Sequence, residues 1–90
     1  DEELRFKTFA RRNKLLGLWA AEKLGITGAE ADEYARAVIL ADFEEPGEED
    51  VYRKMRKACD EASLEVSEHQ IRREMEALLV RAHAEIHAGN

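Results

Sequence analysis

Apolar residues in this chain recur three and four positions apart, and no segment shows the alternation of a half-buried strand. Ala31, Tyr34, Ala35 and Val38 fall on one helical face. Val51, Met55, Ala58, Cys59 and Ala62 line a second stripe, and Ile71, Met75, Leu78, Leu79, Ala82 and Ile86 a third. Punctuation separates the stripes. Gly25 follows Leu24 and can take the left-handed conformation that ends a helix. Thr27 with Glu30 and Ser67 with Gln70 have the spacing of capping boxes. Pro46-Gly47 interrupts the middle of the chain, and Gly89 closes the last segment. The spacing predicts helices over 2–24, 28–44, 48–62 and from Ser67 to Gly89. Short connectors make neighbouring helices antiparallel. The expected fold is all-α: a single domain over 1–90, a four-helix bundle with a long N-terminal helix. A three-helix core beneath that long helix is the other arrangement.

The supply of large apolar side chains is thin. Leu, Ile, Val and Phe make up 20 of 90 residues, and fourteen of the other hydrophobic residues are alanine. That lies just above the roughly one-fifth below which chains tend to stay disordered. A small core follows, with little room for a deep substrate pocket. No apolar run approaches the ~18 residues of a membrane span, so direct membrane insertion is not expected. A single cysteine cannot form an internal disulfide and fits a reducing compartment.

The first helix is uneven. Leu15, Leu16, Leu18, Trp19, Ala20, Ala21 and Leu24 crowd its second half, whereas Leu4, Phe6, Phe9 and Ala10 are sparse in its first. At 1.5 Å per residue a 23-residue helix is ~35 Å long. Residues 1–14 are therefore expected to project as an arm from a body of 15–90. Charge is uneven too. Leu4 to Ala21 carries Arg5, Lys7, Arg11, Arg12 and Lys14 and no acid, while Asp42 to Asp50 carries six acids and no base. The basic stretch can dock on an acidic protein surface or on phosphate, or pair with the acidic run of the same molecule. The net charge of −6 disfavours nucleic acid as a partner.

Catalytic chemistry has little material. His83 and His87 stand four apart, a spacing that can chelate a metal. His69 lies ~21 Å away along the same helix and cannot complete such a site. Surface histidines are the plainer reading, with no metal. Ser63 and Ser67 are accounted for by a connector and a cap, and Cys59 by the apolar stripe of the third helix. Neither Gly-rich phosphate loop occurs. The chain reads as a non-enzyme that works by binding another macromolecule.

Several long strings resemble one family: DEELRF at Asp1 to Phe6, RRNKLLGLWAAEKLG at Arg11 to Gly25, TGAEAD at Thr27 to Asp32, ADFEEPGEEDV at Ala41 to Val51 and HQIRREMEALL at His69 to Leu79. Together they are similar to the alphaproteobacterial F-type ATP synthase inhibitor, the zeta subunit. The resemblance implies a four-helix bundle that binds the alpha and beta subunits of the catalytic head beside the gamma stalk. It implies that an N-terminal segment wedges into a catalytic interface and blocks ATP hydrolysis while largely sparing synthesis. Members usually carry a further mobile inhibitory segment before DEELRFK, which this chain is expected to lack. The resemblance further implies a cytoplasmic protein, peripheral to the inner membrane through the synthase. Weak ATP or ADP binding is a side expectation, and a small adenine-nucleotide-binding or partner-binding module is the alternative function. The partner-binding residues it points to are Arg5, Phe6, Lys7, Phe9, Arg11, Arg12 and Lys14, with the two aromatics as anchors.

Overall fold

The computed structural model describes residues 2–44 and 48–89, and of residues 40–44 and 48 only the backbone. Four helices follow in order: α1 over Glu2–Leu24, α2 over Ala29–Glu44, α3 over Glu48–Glu61 and α4 over Glu68–His87. They form a bundle in which α1 packs broadly on α2 and α4 and also touches α3. The molecule measures 39 × 27 × 23 Å, so α1, at ~35 Å, runs nearly its full length.

Local chemistry sets the ends. Gly25 takes φ +77°. Its N–H donates to the Glu22 carbonyl at 3.2 Å, and the Ile26 N–H donates to Ala21 at 2.8 Å. This paired bonding satisfies carbonyls that the helix end would otherwise leave open. The end of α3 repeats it, with Leu64 N–H to Cys59 at 2.9 Å and Ser63 N–H to Asp60 at 3.0 Å. Here the left-handed residue is Ser63, at φ +58°. At the start of α4, Ser67 and Gln70 form the expected capping box, at 3.1 and 2.8 Å. The start of α2 differs from expectation. Gly28, not Thr27, holds the cap position, and its carbonyl accepts from Ala31 and Asp32 at 3.1 and 3.4 Å. A glycine at φ +64° permits the sharper entry.

The core gathers Leu16 and Ala20 from α1, Val38 from α2, Val51, Met55 and Cys59 from α3, and Ile71, Met75 and Leu78 from α4. Each expected stripe supplies members to it. Ala62, at the far end of the α3 stripe, is exposed because the helix stops at Glu61. Trp19 and Tyr34 pack at the core's edge rather than inside it.

Gly17 was not marked by the apolar pattern, yet it sets the α1–α2 spacing. A Cβ there would lie 2.6 Å from the Ala35 Cα, 3.1 Å from its Cβ and 3.2 Å from Val38 Cγ2. Gly17→Ala should therefore lower stability by about 1–3 kcal/mol through overpacking, despite gaining about 1 kcal/mol of helix propensity. Urea denaturation reads the sign, and a stabilised variant would contradict the close approach. Ser63→Gly should act in the opposite sense. It relieves the left-handed strain and should raise stability by about 0.5–1 kcal/mol, net of the freedom glycine adds to the unfolded chain. Its thermal midpoint should rise.

Candidate functional site

The inward face of α1 continues well past its apolar half. Its buried residues are Thr8, Arg12, Asn13, Leu16, Gly17, Ala20 and Ala21. These positions follow one another at helical spacing, so the polar residues Thr8, Arg12 and Asn13 prolong the stripe that Leu16 and Ala20 begin. Thr8 Oγ1 donates to the Leu4 carbonyl at 2.8 Å. Arg12 Nε donates to Asn13 Oδ1 at 2.7 Å, and its guanidinium lies 5.4 Å from the centre of the Phe9 ring. Asn13 Nδ2 is buried without a hydrogen-bond partner. Full burial on α1 thus begins at Thr8; of the described residues before it, Leu4 is half-buried and the others are exposed.

The seven residues expected to bind a partner separate accordingly. Arg5, Phe6, Lys7 and Lys14 are exposed, with Phe6 at 55% one of two large hydrophobics so placed among the described residues. Lys7 pairs with Glu3 at 3.3 Å. Phe9 and Arg11 are half-buried, and Arg11 reaches Glu85 of α4 at 3.5 Å. Arg12, at 1% exposure, is withdrawn into the body. A count of apolar residues misses this, because Arg12 occupies the inward register four residues before Leu16.

Pairing of this basic stretch with the acidic run from Asp42 to Asp50 lies mostly outside the described residues. Of the described acids, Asp50 pairs with Arg53. Glu49 holds Arg72 of α4 at 3.0 Å, and Arg72 also bonds Glu68 at 2.9 Å and covers the Tyr52 ring at 4.1 Å. Hydrogen bonds that Arg72 donates to Glu49 and then to Glu68 raise its pKa further above its ordinary value. Glu49 thus ties this end of α3 to α4.

Beside Phe9 a groove of about 300 Å³ opens between α1 and α4, lined by Leu4, Arg5, Thr8, Phe9, Leu79, His83 and His87. The two histidine rings stack 3.9 Å apart. His87 Nδ1 lies 2.9 Å from the His83 carbonyl, which can only accept, so Nδ1 carries the proton. No group of three or more metal-ligating side chains occurs among the described residues. A second groove, of about 510 Å³, involves Trp19, Lys23, Gln70, Arg73 and Glu74. Among the described residues no helix is long and apolar enough to cross a membrane.

A model of the ATPase inhibitor subunit zeta family matches residues 1–85. The chain belongs to this family. It is similar to a solved solution NMR structure at 45% identity and a TM-score of 0.83, over 97% of this chain and 99% of that one. No curated relative matches the chain. A zeta subunit is by family an inhibitor of an ATPase.

Cys59 of this zeta-family chain has no reactive setting. It is a free thiol, 1% exposed. Burial pushes its pKa above the ordinary 9.0, Asp60 adds to this, and Arg56 and Lys23 oppose it. Burial likewise raises Tyr34 above 10.0, with Cys59 and Glu61 adding. Both folded-state pKa values are raised, so the unfolded chain loses these protons first. Their stabilising effect is complete below the unfolded pKa and is lost as pH rises through the folded values. Urea midpoints should therefore fall above about pH 9, and Cys59→Ala should delay the onset. An unchanged onset in that variant would show that the thiol proton does not matter.

Proposed function

We propose that this chain is a regulatory subunit that binds the catalytic head of an F-type ATP synthase and blocks ATP hydrolysis. It docks the outlying turns of α1 at an interface of the alpha and beta subunits beside gamma. The observation that carries the reading is the placement of Phe6. An aromatic side chain 55% exposed stands between the cations Arg5 and Lys7, on a helix anchored from Thr8 onward. A rigid helix end loses little entropy on docking, and aromatic and arginine side chains are the usual energetic centres of interfaces. Membership of the inhibitor family supplies the target class. Arg5, Phe6 and Lys7 make first contact, Phe9, Arg11 and Lys14 border it, and Arg12 acts from within by holding the helix in register.

The reading is tested by the ATPase rate and binding of purified catalytic head with added protein. Phe6→Ala combined with Arg5→Glu should weaken binding by about 2 kcal/mol or more, roughly thirtyfold, as loss of a central anchor does. Circular dichroism should show an intact fold, since both side chains are exposed. A wild-type chain that neither binds the head nor slows hydrolysis would sink the reading.

A further inference from the structure

One narrow stripe seats α3 on the rest of the bundle. Val51, Met55 and Cys59, spaced four residues apart, are buried, and the other described side chains of the helix are half-buried or exposed. By contrast α1 buries seven residues and packs broadly on α2 and α4. Neither the α1–α2 seam at Gly17 and Ala35 nor the α1–α4 contact passes through α3. Charged side chains of α3 pair along the helix itself: Asp50 with Arg53, Arg56 with Asp60 and Lys57 with Glu61. Arg72 of α4 reaches across instead. It holds Glu49 at 3.0 Å and covers the Tyr52 ring at 4.1 Å, both near the start of α3. Just past the other end, Ser63 is kept at φ +58°, a left-handed conformation that a side chain makes costly. The helix is thus fastened by a polar contact at one end and strained at the other.

We propose that α3 is a strap that opens as a unit from a body of α1, α2 and α4, with Arg72 as its latch. Opening breaks the Arg72–Glu49 pair and the Arg72–Tyr52 contact, and it lets Ser63 leave its strained conformation. It uncovers Met55 and Cys59 on the strap, and Leu16, Ile71 and Met75 on the body. The pair between Arg72 and Glu68 lies within α4 and survives, so the latch consists of Glu49 and the ring. The body keeps its Gly17–Ala35 seam and the Arg11–Glu85 pair between α1 and α4. α1 therefore stays seated while α3 moves. Elements with few buried contacts open at a lower free energy than the whole fold, and α3 is built in that way.

The test follows labelling of the Cys59 thiol by Ellman's reagent on the whole chain at about pH 8, where part of the exposed thiol is thiolate. Global unfolding is read beside it by circular dichroism in urea. The chain has one cysteine, so the signal has a single source. Below the unfolding transition, labelling should be faster than the globally unfolded population allows. It should also depend only weakly on urea, because opening the strap exposes a small area. Arg72→Ala should speed it about fivefold, and Arg72→Lys, which keeps a charge for Glu49, by less. Gly17→Ala separates opening from unfolding. It strains a seam that the closed and open states share, so it should lower the urea midpoint and leave low-urea labelling unchanged. Labelling that speeds in Gly17→Ala by the factor lost in global stability would overturn the proposal, since Cys59 would then be reached by unfolding of the whole chain. An unchanged rate in Arg72→Ala would remove the latch. Amide hydrogen exchange of the unaltered chain gives a second reading. The amides of α3 should exchange as a group, faster than those of the buried face of α1, and equal protection of the two helices would sink the strap.

Discussion

The close approach of α1 and α2 at Gly17 and Ala35 is the constraint on which the bundle depends. With so few large apolar residues, this chain cannot fill a wide space between helices. Small residues on the contact face bring the two backbones together, so dispersion is gained from main-chain atoms rather than from long side chains. Gly17, Ala20 and Ala21 on α1 and Ala35 on α2 are all buried on this plan. The larger core residues Met55, Ile71 and Met75 then come from α3 and α4 and fill what remains. A thin core is thus compatible with a stable fold because one seam is drawn tight.

The same face of α1 changes chemistry at Asn13. Below it the contacts are apolar; above it they are Thr8, Arg12 and Asn13. A buried guanidinium adds little net stability, because desolvation offsets what its partners return. An amide nitrogen left without a partner at Asn13 costs more still. This half of the helix is therefore held less firmly per residue than the half around Leu16 and Ala20. It is nevertheless directed, since the Arg11–Glu85 ion pair to α4, at 3.5 Å, constrains geometry where apolar packing would tolerate rotation. An α1 anchored by apolar contacts at one end and guided by polar ones at the other presents its first turns in a defined direction.

Most of the fold was legible because helical period and punctuation are local. Leu16, Val38, Met55, Ile71 and Met75 are core residues that any count of i, i+3, i+4 spacing selects, and Gly25 and Ser67 do as their residue types dictate. What escaped was information carried by register or by distance along the chain. Arg12 reads as a surface cation until its place four residues before Leu16 is noticed. Gly17 reads as a weak point in a helix until Ala35 is known to lie against it. Thr27 and Gly28 both suit the cap of α2, and only the backbone conformation chooses between them. Of the candidate site, Arg5, Phe6 and Lys7 are exposed, as their place in the apolar-poor half of α1 suggests. Leu79, His83 and His87 were separate features of α4 until the antiparallel pairing brought them beside Leu4 and Phe9.

That pairing also gives the net charge of −6 a direction. The acids Glu49 and Glu68 are gathered with Arg72, where α3 begins and α4 begins. The opposite end of α4 meets the start of α1, and there Arg11 and Arg81 hold Glu85. A uniformly acidic protein would be repelled by an acidic interface at every orientation. A polarised one is repelled in most orientations and drawn in one, because nearby charges weigh more than distant ones once screening sets in beyond ~8 Å. In the docking proposed above, the acidic surplus would orient approach so that the α1 end that carries Phe6 leads.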